Sequence, residues 1–99
     1  MQDASNDGVG DRALLRTSGA ALRHGNRVDL LPNADVAYED WLAAIRGARR
    51  WIHLDNYIFR ADAIGRRFAD ALGERALAGV AVRVLYDWYG SMDVPAVFW

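Results

Sequence analysis

The chain of 99 residues contains no cysteine and no lysine, only two histidines, His24 and His53, and only two prolines. Each absence removes a chemistry. Without cysteine there is no disulfide framework, no thiolate nucleophile and no cysteine-ligated zinc. Without lysine there is no Schiff-base amine and no phosphate-binding loop of the Walker type. All 12 basic residues are arginine, and against 13 acidic residues they leave a formal charge of -1. Steering toward a polyanion by net charge is thereby excluded. No apolar run approaches the roughly 20 residues that cross a bilayer, and the start, Met-Gln-Asp-Ala-Ser-Asn-Asp-Gly, has neither the basic nor the apolar part of a signal peptide.

What remains is the composition of one small globular domain, 53% hydrophobic and 25% charged. Residues 1 to about 12, rich in Asp, Asn, Ser and Gly, read as a flexible leader. Ala13 to Leu22 is a short amphipathic stretch, either a short helix or a docking arm. Val28, Leu30 and Leu31 form a candidate first strand that Pro32-Asn33 ends. Tyr38, Trp41, Leu42, Ile45 and Ala48 recur at helical spacing, predicting a helix from about Ala34 to Arg50 with Asn33 or Asp35 as its cap. Arg46, Arg49 and Arg50 suit its solvated carboxyl end.

Trp51 to Phe59 is aromatic and β-branched, without glycine or proline, and reads as a central strand. Asp62 caps a second helix with Ile64, Phe68, Ala71 and Leu72 inward, and Gly79 supplies its left-handed stop. Val80 to Tyr86 alternates as a third strand. The order strand, helix, strand, helix, strand predicts an α/β fold with a largely parallel sheet covered by helices on both faces. Asp93 with Pro95 signals one more helix start, and the apolar Val97-Phe98-Trp99 is expected to pack against more of a larger fold.

Ligands of open parallel sheets bind beyond the carboxyl ends of the strands. Asp87, Gly90 and Ser91 follow the third strand: a carboxylate, a permissive backbone and a hydroxyl. They form either a pocket rim or a turn in which Asp87 satisfies backbone N–H groups. Asp55 and Tyr57 form a second group, as pocket supports or as a hydrogen-bonded core network. His53, near the start of its strand, reads as a packed core histidine, and His24 as a turn residue. No third ligand stands near either histidine at metal spacing, so no metal site is expected.

Several segments in order resemble the phospholipase D superfamily domain of bacterial cardiolipin synthases. They are Gly25-Asn26-Arg27-Val28-Asp29-Leu30-Leu31, Ala43 to Arg50, Ile52-His53-Leu54-Asp55-Asn56-Tyr57-Ile58-Phe59, Ile64 to Leu72, Ala78 to Asp87, and Gly90-Ser91. The resemblance spans residues 25–99 and implies the amino-terminal part of a phospholipase D-like α-β-α sandwich, with residues 1–24 as a leader carrying a possible short helix. It implies phosphatidyl transfer or phosphodiester cleavage by paired His-x-Lys-x4-Asp motifs. One imidazole attacks phosphorus, its partner protonates the leaving alcohol, and no metal or other cofactor is needed.

This sequence departs from that pattern where chemistry matters. His24 is followed two positions on by Asn26 and His53 by Asp55, so neither opens a His-x-Lys motif. Asp55 and Asn56 also stand where relatives usually carry Glu and Thr. The expectation is a fragment with no catalytic residue of its own, inactive alone, in which Asp87, Ser91, Gly90, Asp55 and Tyr57 contribute to substrate binding. The implied partners are a phosphatidylglycerol-type phospholipid and the rest of the fold, with no nucleic acid, in the cytoplasm or peripheral on the inner membrane. The alternatives are a non-catalytic α/β interaction module and a fragment of a related nuclease.

Overall fold

The computed structural model describes residues 7–99. It divides into two compact units, Met1–Leu30 and Leu31–Trp99. In the first, helix α1 runs over Asp7–Ser18. It begins inside the stretch read as a leader, whose residues 1–6 lie outside the described residues. Its last turn is held by the Ser18 and Thr17 hydroxyls donating to the Leu14 and Ala13 carbonyls at 2.7 and 2.9 Å. The segment Val28 to Leu31 forms no strand. Val28 and Leu30 are 90% and 87% exposed, so the apolar run finds no partner ladder among the described residues and gains nothing by extending.

The second unit is the α/β body. Helix α2 spans Ala34–Gly47, strand β1 Trp51–Asn56, helix α3 Ala63–Leu77 and strand β2 Ala81–Tyr86, followed by one 3-10 turn at Ala96–Phe98. The strands pair in parallel with Ile52 opposite Val82 and Asn56 opposite Tyr86. Parallel pairing requires the long crossover that α3 provides. Among the described residues the sheet thus has two strands, one fewer than the sequence pattern predicts.

The helix boundaries have local causes. Asn33, not Asp35, caps α2: its Oδ1 accepts from the Val36 N–H at 3.0 Å. Asp62 does the same for α3, accepting from the Gly65 N–H at 2.8 Å. Gly79 takes φ 89° just past α3 and turns the chain into β2. Replacing Asn33 by alanine is expected to cost about 1 kcal/mol, whereas Asp35→Ala, which breaks no cap, should cost far less. Urea unfolding followed by circular dichroism separates the two; equal losses would refute the assignment of the cap.

Leu42, Ile45, Ile52, Phe68, Ala71, Leu72 and Val80 make the core, with Tyr38, Ala48, Leu54, Ile64 and Val82 packed against it. The inner faces expected for both helices are therefore met, except that Trp41 stays partly exposed. An edge-to-face trio of Tyr38, Trp41 and Phe68, with centroids 5.9 to 6.5 Å apart, joins α2 to α3. Arg67 adds a 2.7 Å ion pair to Glu39, too exposed to contribute much.

Both helices pack on one face of the sheet. The other carries Trp51, His53 and Asp55 from β1 and Ala81, Arg83 and Leu85 from β2, all exposed. Within this unit the helices cover one face of the sheet, and the reading of His53 as a core residue is corrected. The period-2 alternation puts His53 on the Trp51 face, which no helix of this unit covers. There Arg83 Nη1–H donates to His53 Nε2 at 3.1 Å, and the Trp51 ring lies 4.8 Å from the imidazole. Among the described residues no helix is long and apolar enough to cross a membrane.

Candidate functional site

The carboxyl ends of β1 and β2 point to the same edge because the strands are parallel, and two loops leave from there. After Asn56 the chain turns at once. The Asn56 side-chain amide donates to the Ile58 carbonyl at 2.7 Å, which ends the strand short of the predicted Phe59. Tyr57 and Ile58 are exposed and Phe59 half-buried. After Tyr86, Asp87 starts a turn: its Oδ1 accepts from the N–H groups of Tyr89 at 2.9 Å and Gly90 at 3.2 Å. Of the two roles open to Asp87, the backbone-satisfying turn is thus present. No partner stands on its Oδ2 among the described residues, so an acceptor faces outward.

The five residues singled out in sequence fall into two groups. Asp55, Tyr57 and Asp87, with Asn56, Leu85 and Tyr86, line a shallow cleft of about 310 Å³ across the strand ends. Ser91 and Gly90 lie beneath the rim. Ser91 is 5% exposed. It accepts from the Phe59 N–H at 3.1 Å, and its hydroxyl reaches the Tyr57 carbonyl at 3.5 Å. Gly90 is pressed so closely against Tyr57 that a Cβ there would overlap the Tyr57 carbonyl oxygen. The Asp55 carboxylate makes no hydrogen bond or ion pair among the described residues, so the core network considered for it does not form.

A second, larger cleft of about 820 Å³ opens beside the first, between the amino ends of α2 and α3 and the loop after β1. Tyr38, Trp41 and Phe68 give it an aromatic wall, while Asp55, Arg60 and Asp62 supply its charges. Asp62 is engaged in capping α3. The helical spacing marks Tyr38, Trp41 and Phe68 as core, which hides their second role as cleft wall. Arg60 carries one available signal, a basic residue directly after the apolar run Tyr57-Ile58-Phe59.

The 3-10 turn closes one side of this edge. Trp99 stacks on Tyr86 with centroids 4.1 Å apart and meets Phe59 edge-on at 5.6 Å. The helix signal at Asp93 and Pro95 therefore yields a single turn, seated on the ends of both strands. Val97 beside it is exposed.

As a chemical device, the edge offers acceptors and aromatic surface. Neither histidine lines the smaller cleft: His53, three residues before the end of its strand, is among the residues lining the larger one, and His24 belongs to the first unit. The smaller cleft, lined by Asp55, Asn56, Tyr57, Leu85, Tyr86 and Asp87, holds neither an imidazole to attack phosphorus nor a cation to neutralise the charge that builds on its oxygens.

Comparison with known proteins agrees on one name. Cardiolipin synthase 1 of Staphylococcus epidermidis is 39% identical over 84% of this chain, a match covering 17% of that protein. Cardiolipin synthase A of Pseudomonas aeruginosa is 41% identical over 87% of this chain and 18% of its own length. Cardiolipin synthase 1 of Staphylococcus aureus is 36% identical over 84% and 17%. No protein-family model matches the chain. No solved structure matches it significantly. The chain spans less than a fifth of the length of the curated relatives it matches. Over most of its length, this chain is similar to a segment of cardiolipin synthases.

Proposed function

We propose that this chain is the amino-terminal part of the first lobe of a cardiolipin synthase-like phosphatidyltransferase of the phospholipase D superfamily, with residues 25–99 as the domain segment and residues 1–24 as its leader. It supplies scaffold and pocket rim, and the reacting groups come from elsewhere in the complete enzyme. One observation carries the reading: identity of 36 to 41% along more than four-fifths of a chain that has no lysine, and therefore no His-x-Lys pair.

The rim has a definite chemical preference. Asp55 and Asp87 place two carboxylates on one cleft, and carboxylates repel a phosphodiester at close range. They accept hydrogen bonds from hydroxyls. Asp87 keeps one oxygen on its own turn and turns the other outward, so the rim suits the glycerol hydroxyls of a phosphatidylglycerol-type lipid. The phosphoryl group then lies toward the missing imidazoles and ammonium groups. Tyr57 and Tyr86 give the polyol an aromatic wall. A lipid of this kind sets the place of work at a membrane surface, where the chain would be peripheral.

The test is to incubate the purified chain with phosphatidylglycerol vesicles and measure cardiolipin and free glycerol by mass spectrometry. No product above a heat-inactivated control is expected. Steady turnover would overturn the claim that the reacting groups lie outside this chain.

A further inference from the structure

The loop after β1 and the loop after β2 are joined at one side chain. Ser91 is the one buried polar residue among those described, and it sits in a loop whose neighbours Tyr89 and Met92 are exposed. All of its polar groups are engaged within the protein. Its N–H donates to the Trp88 carbonyl at 3.3 Å, and its carbonyl accepts from the Val94 N–H at 3.1 Å. Its hydroxyl accepts from the Phe59 N–H at 3.1 Å and meets the Tyr57 carbonyl at 3.5 Å, partners 32 and 34 residues away in sequence. Directly before it, Gly90 leaves no room for a side chain against the Tyr57 carbonyl. Buried and with its one proton aimed at the Tyr57 carbonyl, the hydroxyl cannot donate to a ligand without giving that bond up.

We propose that Ser91 is a positioning residue: it couples the two strand-end loops so that Tyr57 and Asp87 form one preformed rim, and it does not itself touch the substrate. This rests on the reading that the pocket lies at this edge, and it changes the role given to Ser91 from contact to support. The coupling has a physical route. Asp87 fixes the turn through Tyr89 and Gly90, that turn sets the height of Ser91, and Ser91 holds the Phe59 N–H. Loosening either end should be felt at the other.

Native-state hydrogen exchange resolved by residue tests this. Ser91→Ala is expected to speed exchange at the Phe59 amide by about tenfold, the effect of one lost buried hydrogen bond, while Leu54 and Val84 stay within about twofold. Ser91→Thr, which keeps the hydroxyl, should return Phe59 toward the wild-type rate. A parallel rise across both strands, an unchanged Phe59, or no recovery with threonine would each overturn the proposal. Should Ser91→Ala not fold, Asp87→Asn serves instead: it weakens only the β2 turn, and the proposal requires Phe59, in the other loop, to exchange faster. An unaffected Phe59 in that variant defeats the coupling.

A titration with glycerol 3-phosphate, followed by amide shifts, separates this inference from the reading beneath it. Shifts at both Tyr57 and Asp87 support a shared rim. Their absence removes the ligand from this edge, while the exchange result still decides whether Ser91 couples the loops.

Discussion

Leu42→Ala is expected to lower the melting temperature of the chain by roughly 10 °C or more, and to leave a large fraction unfolded under mild conditions. Leu42 is the one large side chain with no exposed surface among the described residues. It belongs to the cluster that α2 and α3 share with Ile52 and Val80, so its removal opens a cavity where both helices meet the sheet. Leucine truncations at such sites cost about 2–5 kcal/mol. A unit the size of Leu31–Trp99 carries only roughly 3–10 kcal/mol in all, so the loss is a large part of the total. Leu42→Met, which keeps the volume, should cost less than about 1.5 kcal/mol. Thermal melts by circular dichroism decide it: an alanine variant melting within about 3 °C of wild type would place the centre of the core elsewhere.

Two glycine substitutions should move stability in opposite directions. At Gly90 an added methyl meets backbone, the Tyr57 carbonyl, and also approaches the Tyr57 ring at 3.3 Å. Backbone cannot step aside as a side-chain tip can, so Gly90→Ala must push the two strand-end loops apart, at about 1–3 kcal/mol. At Gly73, within α3, nothing lies within 4 Å of an added methyl. Gly73→Ala should therefore stabilise by roughly 0.5–1 kcal/mol, since it only removes backbone freedom from the unfolded chain. Paired denaturant titrations read both signs. Stabilisation by both substitutions would mean the loops do not meet at Gly90.

The parts of the fold legible in sequence are those decided by short-range physics. Spacing of three and four gave α2 and α3 with their inner residues, and Asp62 and Gly79 marked the ends of α3 through preferences that act within a turn. The ambiguity between Asn33 and Asp35 was real, because either carboxamide or carboxylate can cap and only the register of the first turn decides. Length failed where a side chain intervened: Trp51 to Phe59 looks like one strand, but Asn56 folds onto Ile58 and stops it at Asn56.

Long-range features were out of reach. Val28 to Leu31 has strand composition, but a strand needs a partner, and composition does not report one. His53 looked like a core residue because both faces of β1 are largely apolar, yet burial depends on which face a helix covers. The strand-end edge, and the placing of Asp55, Tyr57, Asp87, Gly90 and Ser91 near it, followed from topology. What sequence could not show is that Ser91 faces inward, since a Gly-Ser pair in a polar loop is equally suited to meeting a ligand and to tying down a neighbouring loop.

The open sheet has a consequence for how the chain behaves in a tube. Among the described residues strand β2, Ala-Val-Arg-Val-Leu-Tyr, pairs with β1 on one side only, which leaves a row of backbone donors and acceptors ready to template another strand. Five of its six residues are apolar or aromatic, and Val82, Val84 and Tyr86 are strong strand formers of the kind that build cross-β structure. The guanidinium of Arg83 is the single charge among them, and it is exposed. Arg83 is therefore the gatekeeper of this edge: a second copy pairing there in register would set one guanidinium beside another, and that repulsion grows with every strand that adds.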